Sequence, residues 1–323
     1  MISTKYVFIL VMLLLVGSMK NKLFNYDKKT TDEEHYEIVK KYLLNNSSLA
    51  RSKLPIIWIH VPNDINARLW DNFYSRNTDH SNQPYTTIII KNIVDKCGQH
   101  FNICLIDDNT FTKIIPGWTT DMTKLASPVK EKMRELAIAQ ILHLYGGVLM
   151  PSTFICFKDF NEVYQQYCDN NKMFVGELLN RTKSSDTYNV YPNTKIMGCI
   201  KKCEKMREYI NYLENNISTD YTSQSVFNGD NANWITTEVE KGHINIIRAE
   251  MLGVIDANNK LVTIDRLLNN TFISLSKNAI GVYVSEEEIL NRTCYQWFAR
   301  MNAPQVLNSN TFLGKILLTN SSS

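Results

Sequence analysis

The chain has little of what marks the specialised classes of protein. Twelve glycines and eight prolines spread over 323 residues exclude a collagen-like or Pro-rich disordered chain. Cysteine is sparse and odd in number, seven in all, without a tight CxxC pair. Cys97, Cys104, Cys156 and Cys294 stand in apolar or element-edge contexts where a free thiol is normal, so the spacing gives neither a disulfide framework nor a zinc site. Charge of one sign is lacking as well. Lys and Arg total 35 against 32 Asp and Glu, a net +3 with no basic stripe, which leaves nucleic acid without an electrostatic footprint as a partner. There is no internal repeat, and no low-complexity tract beyond the terminal SSS. Long apolar runs are also missing, except at the start.

Residues 6–17, YVFILVMLLLVG, carry no charge and are flanked by Lys5, Lys20 and Lys22. Such a run touches a membrane. A spanning helix needs about 20 apolar residues, reached here only if Met1, Ile2, Ser18 and Met19 are counted. Residues 1–19 are therefore either a single-pass signal anchor, the preferred reading, or a signal peptide cut after Val16-Gly17-Ser18. The expected location is a membrane, of the secretory pathway or of a virion, with secretion if the segment is cleaved. Orientation stays open. Lys20, Lys22, Lys28 and Lys29 follow the segment and favour a cytosolic body, whereas sequons at Asn45, Asn46, Asn180, Asn216, Asn269, Asn291 and Asn320 matter only in a lumen.

Residues 20–53 read as a polar stalk with one short helix near 34–44, and residues 54–323 as the folded domain. Pro55 and Pro62 bound IIWIHV, a buried first strand. Helical spacing follows over 67–76 and again from Pro84 to Cys97. A second strand over 101–106 then ends in Asp107 and Asp108. Strand, helix, strand predicts an α/β fold with a mostly parallel sheet flanked by helices. Ser127 as N-cap and Pro128 at the first helical position open a helix whose stripe is Val129, Met133, Leu136, Ala137, Ile141, Leu142 and Leu144. Gly146 and Gly147 end it and reverse the chain into VLM and a turn at Pro151, Ser152 and Thr153. Further on, the pattern gives a helix to Tyr167, strands at 172–176 and 195–200, helices at 202–215 and 231–241, and apolar segments at 243–247 and 252–255. Ser285 with Glu288 reads as a capping box, and the helix over 295–300 as one that docks its aromatics.

A strand entered directly from a glycine-terminated helix delivers its following turn to the carboxyl edge of the sheet, where α/β proteins bind ligands. In PIIWIH at 55–60, ICLIDD at 103–108 and HLYGGVLM at 143–150 the chain resembles glycosyltransferases of the GT-A fold, the DXD-containing sugar transferases and capsular polysaccharide synthesis proteins. The resemblance spans residues 54–160 and is weaker beyond, in FVGE at 174–177 and KIMGCI at 195–200. The chain is also similar to membrane-anchored proteins of unassigned function from large DNA viruses. The family resemblance implies a cleft for a nucleotide sugar and transfer of a hexose to a glycan or protein acceptor.

It also implies a divalent cation on Asp-x-Asp, or Asp-Ala-Thr in the capsular group, because a diphosphate leaving group needs a hard cation and hard cations need carboxylates. Here the positions read Pro151, Ser152, Thr153, and only Thr153 agrees with the capsular version, so Mn²⁺ or Mg²⁺ is not expected. The family's Asp and Arg three residues apart on the preceding helix are Glu135 and Ile138 here, with Arg134 roughly 100° off that face. Two readings follow: a pseudo-enzyme that keeps the cleft for binding, or a metal-independent hexosyltransferase that uses Lys or Arg on the diphosphate. A viral or membrane structural protein is the contrasting class.

The residues expected at the cleft are Trp58, His60, Asp107, Asp108, Glu135, Gly146, Gly147, Ser152 and Thr153. Most have a plainer reading beside the functional one. The aspartates suit a turn, Trp58 suits a core, Glu135 suits a solvated helix face, and the glycines are explained by a helix cap alone. Asp230, Trp234 and His243 are weaker candidates for a ligand or sugar platform from the second half.

Overall fold

The computed structural model describes residues 54–61, 83–168, 172–179, 189–219 and 224–321. The apolar segment at 1–19, the stalk with its helix at 34–44 and the helical stretch at 67–76 lie outside the described residues. Among the described residues, no helix is long and apolar enough to cross a membrane.

β1 (Ile56–His60) organises a six-stranded sheet. Ile57 and Ile59 point into the larger core and Trp58, 5% exposed, packs on the opposite face, so both faces are covered as a parallel sheet requires. It pairs in parallel with β2 (Asn102–Ile106) on one side and β3 (Gly147–Leu149) on the other. The order is β2-β1-β3-β6-β5-β7, where β5 is Phe174–Leu179, β6 Val190–Cys199 and β7 Asn245–Ile247. β6 runs antiparallel to β3 and β5, and β7 is parallel to β5. The mostly parallel sheet is as expected, with β6 reversed because it pairs directly with the strand it follows. A second sheet pairs β4 (Phe154–Cys156) with β8 (Gly281–Tyr283) antiparallel. The apolar segment at 252–255 makes no strand; Ile255 forms only an isolated bridge to Leu261.

α1 (Thr86–Cys97) buries Ile89, Asn92, Ile93 and Cys97, the three- and four-residue spacing of one helical face. α2 (Val129–Tyr145) buries Leu136, Ala137, Ile138, Ala139, Ile141 and Leu142. Its start corrects the expectation: Pro128 occupies the cap position, no side chain caps the helix, and Ser127 lies one residue outside. Its end is as expected. Gly146 at φ 73° closes the helix, with its N–H donating to the Leu142 carbonyl. Gly147 at φ 103° then enters β3 so close to β1 that an added Cβ would stand 2.1 Å from the Ile56 carbonyl oxygen. Only glycine permits both the turn and that approach.

α3 (Asn161–Tyr167), α4 (Glu204–Ser218) and α5 (Gln224–Glu240) follow, and then five short helices: α6 (Ile264–Leu268), α7 (Glu286–Asn291), α8 (Gln296–Ala299), α9 (Ala303–Leu307) and α10 (Phe312–Ser321). Tyr295 and Phe298 enter a second core with Tyr85, Ile155 and Val282, while Trp297 stays 49% exposed. The capping box expected at Ser285 is not made. Ser285 holds the cap position without a side-chain bond to the helix backbone, and Glu288 turns inward and faces Arg292 at 3.5 Å. The box forms instead at α9, where Asn302 and Gln305 cap each other's backbone.

Candidate ligand cleft

Because β1, β2 and β3 are parallel, His60, Asp107 and Asp108, and Pro151 to Thr153 all leave the sheet at one edge. The two aspartates then part. Asp107 Oδ1 accepts from the N–H of Thr110 at 2.8 Å and from its hydroxyl at 2.5 Å, which is turn chemistry. Asp108 gathers cations. Arg134 grips it with two bonds, Nε to Oδ1 at 2.8 Å and a terminal nitrogen to Oδ2 at 2.7 Å. His60 Nε2 lies 2.9 Å from Oδ1, and Lys130 Nζ 3.6 Å from Oδ2. Burial by itself would raise the Asp108 pKa, but hydrogen bonds from Arg134 and His60 outweigh it and hold the carboxyl well below the usual range. His60 also stacks on Phe111, with ring centroids 5.9 Å apart.

Arg134 was expected to point away from the cleft. It does not, because the guanidinium's reach and fork geometry carry it to Asp108 despite the helical phase of its Cα. Glu135, one position on, is held from another side. Its Oε1 accepts from Thr194 and from the Tyr209 phenol, each at 2.6 Å, and Lys132 stands 3.6 Å from Oε2. Burial, and then the Glu135 carboxylate, push the Tyr209 pKa far up, so the phenol stays a donor.

The turn after β3 is closed on itself. Thr153 is fully buried and its hydroxyl donates to the Val284 carbonyl at 2.7 Å. Ser152, 4% exposed, donates to Glu286 Oε2 at 3.3 Å. Burial raises the Glu286 pKa. A hard divalent cation needs several converging oxygens with carboxylates among them, and here an imino acid and two engaged hydroxyls stand beside a single carboxylate. These residues do not fit one. Among the described residues, no three His, Cys, Asp or Glu side chains converge as a metal-binding group.

Arg134, Glu135, Lys132, Leu149, Thr194 and Lys195 line a cleft of about 300 Å³ between the start of α2 and β6. A second hollow of about 320 Å³ adjoins it and shares Tyr191, Asn193, Lys195 and Glu287. The Lys195–Glu287 ion pair, 2.7 Å, crosses the boundary between them. Burial alone would lower the Lys195 pKa, but Tyr283 and Glu287 raise it and keep the ammonium charged.

The structure thus brings Glu135 to the cleft wall and groups His60 with Asp108 and Arg134. Trp58 is a core residue: its indole donates to the Gly146 carbonyl at 2.9 Å and its ring packs on Tyr145. Gly146 and Gly147 shape the backbone beneath. Trp234 stacks on Tyr209 and Tyr212, and His243 joins Glu238 at 2.8 Å in an ion cluster, so neither lines the cleft. Lys132, Thr194, Lys195 and Glu287 were missed. Lys195 opens the KIMGCI segment and Glu287 lies in SEEE, but neither spacing announces that β6 and α7 meet over α2.

No protein family matches the chain in sequence, and neither does any curated protein. Among solved structures it is similar to a glycosyltransferase involved in glycosylation of the major capsid of PBCV-1, with 11% identity over 72% of this chain and 95% of that one, at a TM-score of 0.37. It is similar as well to the glycosyltransferase GlyE of Streptococcus pneumoniae, 10% identical over 84% of this chain and 64% of that one, TM-score 0.38. For the galactosyltransferase LgtC the values are 10%, 75% and 92%, with a TM-score of 0.33. At such values the similarity says nothing of this chain's chemistry. The order and direction of the strands show the α/β layout with a mostly parallel sheet flanked by helices that the sequence predicts.

Proposed function

We propose that this is a membrane-associated, glycosyltransferase-like protein whose cleft takes a nucleotide-sugar-type ligand without metal-dependent transfer. The observation that carries the reading is the turn at Pro151, Ser152 and Thr153, which has no carboxylate of its own and whose hydroxyls are already committed to Glu286 and Val284. A cation bridging a diphosphate has no seat there. The cleft wall does hold Lys132, Arg134 and Lys195, charges of the kind that can neutralise a diphosphate directly. Each is paired with a carboxylate, so a ligand phosphate would take over a partner rather than fill an open charge. Residues 1–19 supply the membrane attachment in this reading.

The same three cations favour a second reading, transfer without metal, in which they hold the leaving diphosphate. Melting of the full chain with UDP- or GDP-sugars, with and without Mn²⁺, tests the proposal. The expected result is a rise in Tm with nucleotide sugar that Mn²⁺ does not change. A rise that requires Mn²⁺ contradicts it.

A further inference from the structure

Cys97 is the last residue of α1 and Cys156 the last of β4, 59 positions apart in the chain. Their sulfurs lie 4.0 Å apart and both residues are fully buried. The alignment has a structural cause. Asn92, on the same buried face of α1, donates from Nδ2 to the Cys156 carbonyl at 3.1 Å and accepts the Cys156 N–H on Oδ1 at 2.7 Å. A buried amide that satisfies both backbone groups of one residue is costly to displace, so it fixes helix against strand. Met150 Sδ, 3.9 Å from Cys156 Sγ, packs against the same thiol.

A disulfide needs sulfurs about 2.0 Å apart. From 4.0 Å each sulfur has to move by only about 1 Å toward the other. We propose that Cys97 and Cys156 form a disulfide when the chain folds under oxidising conditions, tying α1 to the strand that follows the Pro151 to Thr153 turn. This is independent of what the cleft binds.

The chemistry balances with a small disulfide, such as oxidised glutathione, as the oxidant. While the core is still open, the Cys97 thiolate attacks one glutathione sulfur and expels the first glutathione thiolate. Cys156 gives its proton to solvent and attacks the Cys97 sulfur of the mixed disulfide, expelling the second. Two protein thiols lose two electrons and two protons, and one glutathione disulfide becomes two thiols. Because the finished core covers both sulfurs, the bond forms before that core closes and is shielded afterwards.

The test is to denature and reduce the full chain, refold it in a glutathione redox buffer, alkylate it in denaturant, digest without reduction and map the peptides. The expected map contains a Cys97 peptide joined to a Cys156 peptide, separated by reductant, with exposed Cys294 alkylated as the internal control. The oxidised chain should melt higher than the reduced one, on the order of 5–10 °C for a closed loop of this length. Cys156→Ser should abolish that difference and leave Cys97 alkylated. Should that variant not fold, the wild-type map alone decides. Recovery of both cysteines as alkylated thiols, or Cys97 joined to another cysteine, overturns the proposal.

Discussion

Asp107 and Asp108 are identical in type and adjacent in sequence, yet one closes a turn and the other binds Arg134 and His60 with Lys130 beside it. Removing the Asp108 charge takes the shared counter-ion from Arg134 and Lys130 and a hydrogen-bond partner from His60 at a partly buried site. Asp108→Asn should therefore destabilise the fold by about 1–3 kcal/mol in denaturant unfolding. Asp107→Asn, which keeps an oxygen for Thr110, should cost less. The pH dependence has a definite sign. The folded Asp108 pKa lies below its unfolded value, so its contribution is full above about pH 4, the unfolded carboxylate range, and is lost as pH falls toward the folded value. In Asp108→Asn the acid limb of the stability profile should be flatter. An unchanged limb would mean that the Arg134 grip contributes nothing. Sequence alone could nominate both aspartates but not separate them, since what separates them is Arg134, 26 positions away and out of phase with the expected face.

Local signals read well where one element decides its own form. The central stripe of α2 (Leu136, Ala137, Ile141 and Leu142), the glycines that end it and the strand they begin were legible, because periodicity and the left-handed conformation are properties of the segment itself, whereas Val129, expected on that stripe, is exposed at the helix start. Gly147→Ala would drive a Cβ into the Ile56 carbonyl while forcing alanine to φ 103°. We expect a loss of at least about 3 kcal/mol, or no soluble protein, read by denaturant unfolding. An alanine variant of near-native stability would mean that β3 can move off β1. What a segment cannot decide was not legible. The reversal of β6 is set by its pairing with β5 and β3, and the Ser285 box yields to an inward Glu288 because the second core forms around α7.

For the whole molecule, the parallel half of the sheet, β1 to β3, was readable from residues 54–160, while the cleft opposite was not. Its far wall comes from β6 and α7, read from the sequence only as a strand at 195–200 and a helix start at Ser285, with nothing to say that the two meet. Lys195 is the sharpest probe of that wall. Its ion pair with the exposed Glu287 is worth at most about 1 kcal/mol, so Lys195→Gln should barely change stability. If the cleft takes a diphosphate, the same change should weaken UDP- or GDP-sugar binding about 5- to 20-fold in titration calorimetry, the loss of one charge-assisted bond. Unchanged affinity would move the ligand elsewhere.

The most direct measurement is donor turnover by the full chain: release of nucleoside diphosphate from UDP- and GDP-hexoses, with and without Mn²⁺, at donor concentrations that saturate binding. The account predicts that Mn²⁺ adds no turnover, because nothing at Pro151 to Thr153 can seat the ion. Release that appears on adding Mn²⁺ and disappears with a chelator would contradict it.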